Sequence, residues 1–249
     1  MTDLTRDDFL GGRLRLYQPA NGYRAGVDPV LLAAATPIKS GETLLELGCG
    51  VGAASLCAAT RVAGIRATGI ELQPDYADLA RRNAAENDLP FDVITADLRA
   101  LPADIRNTQF DHVIMNPPYY LRDASTPATD KGRDTALGGD TPLADWITIG
   151  AKRIAPRGYL TLIQRIDRLP ETVAVVHSLL GSIVIQPIAP RQGRESGLFI
   201  LSARKNGRAA FKLRPPLVMH DGVAHTADGE SYTTVVKSIL RDGAELRLF

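Results

Sequence analysis

Short apolar runs recur along this chain, and most are followed by a stretch whose apolar residues return at helical spacing. The first segment breaks that rule. Arg13-Leu14-Arg15-Leu16-Tyr17 alternates charged and apolar residues, the mark of a half-exposed strand. Asn21-Gly22 is a turn signal, so Tyr23-Arg24-Ala25 is expected to return as the second strand of a small hairpin. Asp28-Pro29 reads as an N-cap and first-turn proline opening a helix through Val30, Leu31, Leu32 and Ala35, which Pro37 ends. Strands are then expected at 44–47, 67–71, 91–96 and 109–115, with helices at 53–62 and 74–86 between them. After a stretch over 121–141 with almost no apolar pattern come a helix opened by Pro142, a strand at 159–163, a helix at 169–180, and two strands at 182–188 and 198–204. Strands and helices alternating at this spacing imply an α/β fold with a doubly wound, mainly parallel, Rossmann-like sheet. The final pair forms a hairpin and makes one strand antiparallel. The tail, 211–249, shows no independent core, so one domain spanning 1–249 is expected: an N-terminal appendage (1–40), the core sheet (41–205) and a C-terminal appendage (206–249).

Composition changes little in this picture. The chain has 249 residues, 45% hydrophobic and 23% charged, with a net charge of +1. These are ordinary values for a globular protein and exclude a globally basic nucleic-acid binder, although not a local basic surface. Cys49 and Cys57 fall in one strand–loop–helix segment and form no metal pattern, which suits buried thiols in a reducing compartment. The polar, acidic start of the chain does not read as a secretory signal, and the longest apolar run falls far short of a membrane span. A cytoplasmic protein with no membrane segment and no metal is expected.

The candidate chemistry lies at the strand ends. Glu46-x-Gly48-x-Gly50-x-Gly52 closes the strand at 44–47, where glycines let a cofactor approach the backbone. Its third glycine comes one residue too early for the common dinucleotide loop, and Glu46 would repel a diphosphate. Neither objection applies to S-adenosylmethionine, which has no phosphate and carries positive sulfonium and ammonium groups. Glu71, about twenty residues on, ends the next strand where a carboxylate takes ribose hydroxyls. Asp97 ends the third and is placed to accept from an adenine amino group.

Asn116-Pro117-Pro118-Tyr119 follows the fourth strand directly. The two prolines cannot continue a strand or helix, so they form a stiff corner. Ligands of open parallel sheets bind beyond the strand carboxyl ends. An exocyclic amino group is a poor nucleophile because its lone pair is delocalised. The Asn116 side-chain oxygen and the Pro117 carbonyl are suited to accept its two hydrogens, and Tyr119 to stack on a flat substrate. The four histidines, His112, His177, His220 and His225, are scattered and offer no rival catalytic grouping.

Residues 44–52, Glu71, Asp97 and the Asn116–Tyr119 corner together resemble the class I methyltransferases that act on amino groups. The closest likeness is to the bacterial tRNA1(Val) (adenine(37)-N6)-methyltransferase family, with residues 23–32 similar as well. The resemblance covers about residues 10–165. It implies a seven-stranded sheet whose sixth and seventh strands form the hairpin. On this reading Asn116, Pro117 and Tyr119 are catalytic. Asp28, Glu46, Gly48, Gly50, Glu71, Leu72, Asp97, Leu98 and Asn116 bind the cofactor. Pro118 and Tyr119 meet the substrate, helped by Arg122, Lys131 and Arg133 in the following loop and by Arg204 and Lys205 in a basic cluster that also holds Arg191, Arg194, Arg208, Lys212 and Arg214. The corner alone fits adenine N6 in RNA or DNA, guanine N2 in rRNA, or a protein glutamine amide, and a cofactor-binding protein without chemistry stays open. The resemblance selects a structured RNA, a tRNA. Glutamine enzymes carry a separate helical domain, and DNA enzymes a recognition insert for which this length leaves little room.

Overall fold

The computed structural model describes residues 3–121, 138–139, 141–222 and 231–249. Three of the expected substrate contacts, Arg122, Lys131 and Arg133, and most of the expected 121–141 loop lie outside the described residues. The chain opens with a hairpin, β1 (Leu4–Phe9) against β2 (Leu14–Pro19), reversed at Leu10-Gly11-Gly12, all three in left-handed backbone. This corrects the expected pairing: the partner of the 13–17 strand precedes it. Residues 23–25 are not a strand. Buried Gln18 fixes them instead, its Oε1 accepting from Ala25 N at 2.7 Å, so the chain passes over the sheet end. Helix α1 (Asp28–Ala35) follows, and here too the expectation needs correcting. Val27 is the cap residue, and the Asp28 carboxylate makes no cap bond.

The central units are β3 (Thr43–Leu47), α2 (Ala53–Arg61), β4 (Arg66–Glu71), α3 (Pro74–Glu86), β5 (Phe91–Thr95), α4 (Ala103–Asn107) and β6 (Phe110–Met115). Tyr120–Leu121 (β7) pairs in parallel with Gly138–Gly139 (β8). Then come α5 (Leu143–Arg153), β9 (Ile154–Arg165), α6 (Leu169–Leu179), β10 (Gly181–Arg191), β11 (Leu198–Arg204), the short strands β12 (Lys212–Leu213) and β13 (Leu217–His220), and α7 (Thr234–Asp242). The sheet runs β12-β10-β11-β9-β6-β3-β4-β5, with β13 also on β10. Only β11 is antiparallel to its neighbours in the path from β10 to β5. Nine strands therefore replace the seven expected, because the tail adds two short strands at the β10 edge.

Alternation along the strands divides the core between the two faces. Leu44, Ile114 and Ile163 join a cluster with α1, α2, α3 and α7; Leu45, Leu47, Val113, Met115, Leu160 and Leu162 join another with α5 and α6. The tail contributes Val236, Ile239, Leu246 and Leu248 to the first cluster. From β3 the chain winds outward to β4 and β5, then returns to place β6 on the other side of β3. The switch point, where such sheets open a crevice, thus lies between the carboxyl ends of β3 and β6.

Candidate active site

Leu47 of β3 pairs with Met115 of β6, so the glycine loop and the Asn116 corner leave the sheet side by side. Between them is a cavity of about 460 Å³. Its lining includes Asp28, Glu46, Gly48, Gly50, Glu71, Leu72, Asp97, Leu98 and all four residues of the corner. Every expected cofactor contact therefore reaches one cavity. Residues 23–29 supply a further wall, held by Gln18 and by the Tyr76 hydroxyl, which accepts from Tyr23 N at 3.0 Å.

The acids differ in state. Glu46 is 3% exposed, and its Oε2 accepts from Ser55 N at 2.9 Å and Ser55 Oγ at 2.5 Å. Burial nevertheless pushes its carboxyl up to about 8, with Glu71 adding repulsion and no cation among the described residues opposing it. Such a group fits a cationic ligand, which would restore the carboxylate. Glu71 straps the loop: Oε2 accepts from Gly50 N and Oε1 from Gln73 N, both at 2.8 Å, while burial raises its pKa. Asp97 is more exposed and held below the usual carboxylate range by Arg99, whose backbone N–H and guanidinium donate to it. Leu72, 54% exposed beside Glu71, offers a bare apolar surface to the same cavity.

At the corner, Asn116 Oδ1 is buried and accepts no hydrogen bond among the described residues. Such an orphan costs about 1–3 kcal/mol, so its presence asks for a donor. The Pro117 carbonyl receives one bond, from Gln164 Nε2 at 3.3 Å, which leaves its second lone pair. The same nitrogen lies 3.4 Å from Pro118 O. Tyr119 Oη donates to Asp28 Oδ2 at 2.5 Å. Burial, then the adjacent Asp28 charge, raises the Tyr119 pKa. Asp28 thus faces the corner as well as the cavity.

Several of these groups gave little warning in the sequence. Gln164 is fully buried at the pocket end of β9, and its only signal is a polar residue closing an apolar run. Ser55 hides in an alanine-rich helix. Trp146, expected only as a helix-face residue, packs its ring against Gly48 and lines the cavity. Arg204 and Lys205 depart furthest from expectation. Because β11 runs antiparallel, Leu198 sits opposite Arg165 at the pocket end and Arg204 opposite Tyr159 at the other. Six residues of strand separate those ends by about 20 Å. Arg204 Nε donates to Arg157 O and Lys205 Nζ to Ala151 O, each at 2.9 Å. The structure does not bring these two to the cavity. Arg191 and Arg194 of the same cluster, at the β10–β11 turn, do lie toward the pocket end.

A family model described as a methyltransferase domain matches residues 44–130. A tRNA1(Val) (adenine(37)-N6)-methyltransferase of Porphyromonas gingivalis is 34% identical over 179 residues, 66% of this chain and 68% of the relative. One of the same description from Shewanella baltica is 28% identical over 233 residues, covering 89% of this chain and 92% of its own length. Among solved structures, one described as a predicted O-methyltransferase from Agrobacterium tumefaciens superposes with a TM-score of 0.69 at 28% identity, covering 88% of this chain and 98% of that one.

Proposed function

Because this chain belongs to the tRNA1(Val) (adenine(37)-N6)-methyltransferase family, we propose that it transfers a methyl group from S-adenosylmethionine to N6 of an adenine in tRNA. The observation that carries this reading is the buried Asn116 Oδ1, unpaired among the described residues, beside the half-used Pro117 carbonyl: two acceptors at a stiff corner on an acidic cavity. Turning the Asn116 amide about its last bond, a broad torsion, presents Oδ1 to the cavity. There it and Pro117 O accept the two amino hydrogens and leave the nitrogen lone pair free to point elsewhere. The Tyr119 ring supplies a face on which a base stacks. When bound, the cofactor supplies an electrophilic methyl group on a positive sulfur. Glu46 and Glu71 favour a cation at the loop, and Leu72 and Leu98 offer apolar surface to a purine. A base within a folded RNA reaches the corner only when turned out of its stack. Such a substrate places the protein in the cytoplasm. No helix among the described residues is long and apolar enough to cross a membrane.

The test is product mapping. Labelled S-adenosylmethionine is offered with separate fractions of unmodified tRNA, rRNA, DNA and protein, and the modified nucleosides or residues are identified. N6-methyladenosine confined to tRNA is the expected product. Label recovered in N2-methylguanosine, in DNA or in a glutamine amide would overturn the proposal.

Cofactor affinity should also depend on pH through Glu46. The free protein holds a proton on this carboxyl below about 8. A bound cation favours the ionised form, so binding at lower pH expels that proton. Affinity therefore rises with pH, by up to about tenfold per unit, and levels off above the free-state pKa. Calorimetry at neutral pH in two buffers of different ionisation enthalpy reads the released proton directly. Glu46→Gln should remove that release and flatten the profile. Equal proton release in the variant and the parent protein would show that another group is responsible.

A further inference from the structure

We propose that Asp28 is a positioning residue for the base platform: through its bond to the Tyr119 hydroxyl it fixes the long axis of the ring on which the substrate stacks. This rests on the reading that the corner receives a planar base. Sequence placed Asp28 first as a helix cap and then as a cofactor contact. The structure shows its carboxylate making no cap bond and accepting Tyr119 Oη at 2.5 Å.

The argument begins with the freedom left to Tyr119. Pro117 and Pro118 stiffen the backbone before it, but a tyrosine side chain still turns about two bonds. Holding the far end of this part-buried ring stops the first rotation, which swings the ring, and the preference of the phenolic O–H for the ring plane restrains the second. Asp28 holds it with a short hydrogen bond to a carboxylate, the stronger class of such bonds. The holder is itself rigid. Asp28 is the first residue of α1, with Pro29 next, and the helix buries Val30, Leu31 and Leu32 in the core. The approach to α1 is pinned by Gln18 on Ala25 and by Tyr76 on Tyr23. The ring is thus anchored at one end by the corner and at the other by a separately packed element, 91 residues away in sequence. A base stacked on it inherits the placement of that axis, and with it the aim of its amino nitrogen. Small errors in such alignment carry large rate penalties.

The test uses full-length Asp28→Ala, Asp28→Asn, Tyr119→Phe and the Asp28→Ala/Tyr119→Phe pair. Turnover and KM for tRNA are read by methyl transfer, and cofactor affinity by calorimetry. Tyr119→Phe keeps the stacking ring and removes only the anchored hydroxyl. Asp28→Asn keeps an acceptor. If Asp28 acts through the hydroxyl, Asp28→Ala and Tyr119→Phe each lower turnover about tenfold, and the double variant falls no further. Cofactor affinity stays within about twofold, and Asp28→Asn recovers most of the loss. Additive losses, a fall in cofactor affinity with Asp28→Ala, or near-normal turnover of Tyr119→Phe would each overturn the positioning role. Should Asp28→Ala fail to fold, Tyr119→Phe and Asp28→Asn still decide the matter. A parent protein that binds the cofactor yet methylates no RNA would overturn the substrate reading and the positioning role together, an outcome distinct from all of these.

Discussion

Asn116→Ala is expected to lower turnover by about 100- to 1,000-fold, the range seen when one preorganised hydrogen-bonding group is taken from a transition state. The reason is specific to this side chain. Its oxygen is buried and accepts no hydrogen bond among the described residues, a costly arrangement that turning the amide toward an amino donor in the cavity relieves. The bond forms when the amino group arrives, which places the loss in turnover rather than in cofactor affinity. Stability should respond in an unusual direction. Most truncations of part-buried side chains destabilise, but this one also removes an unsatisfied acceptor, so the denaturation midpoint is expected to hold or rise. Asn116→Asp keeps an acceptor oxygen and should retain more activity than the alanine variant. Single-turnover methyl transfer, cofactor titration and urea denaturation on the same preparations give all three quantities. Turnover within threefold of the parent, or a parallel collapse of cofactor affinity, would remove Asn116 from the proposed role.

Gly48→Ala is expected to be the most damaging small substitution in the cofactor loop. Gly48 has φ +67°, and a Cβ there would lie 2.5 Å from Trp146 Cη2 and 2.9 Å from Cζ3. A left-handed residue costs about 1–2 kcal/mol when it is not glycine. Overpacking against a buried ring adds about 1–3 kcal/mol more. Gly50 provides the internal comparison: its φ is +54°, but a Cβ would meet nothing within 4 Å. Gly50→Ala should therefore cost only the backbone part. Urea midpoints of the two variants measure the difference, and Trp146→Leu should recover part of the Gly48→Ala loss and little of the Gly50→Ala loss. Equal costs at the two glycines would mean that the Trp146 contact does not dictate Gly48. Cofactor affinity should fall in the same order, because the Gly48 strain moves the loop that Glu71 straps through Gly50.

The sequence by itself determined the four strands and the helices α2 and α3 between Thr43 and Met115, because their apolar runs have the length and period of those elements; the short α4, with only Ile105 buried, left no such pattern. It also determined that Glu46, Glu71, Asp97 and Asn116 stand at strand ends, since chain order and short connections leave them nowhere else. Parallel winding then brings those ends to a single crevice, which is why a linear string of motifs located a cavity. The tertiary structure alone decided which groups face one another. Alternation reads the same in parallel and antiparallel strands, so nothing local in β11 shows that Arg204 and Lys205 sit at the end away from the pocket. The hairpin partner of β2 was hidden for a related reason: Leu4–Phe9 and residues 23–25 both lie within reach of a turn, and the choice fell to the buried Gln18 bond to Ala25. Gln164 reaches Pro117 because β9 lies next to β6, across 47 residues. Asp28 carries the clearest helix-start signal in the chain, yet its carboxylate answers a tyrosine 91 residues away. Local pattern fixes which face of an element is buried; the partners of its polar atoms depend on strand order and direction, which are properties of the assembled sheet.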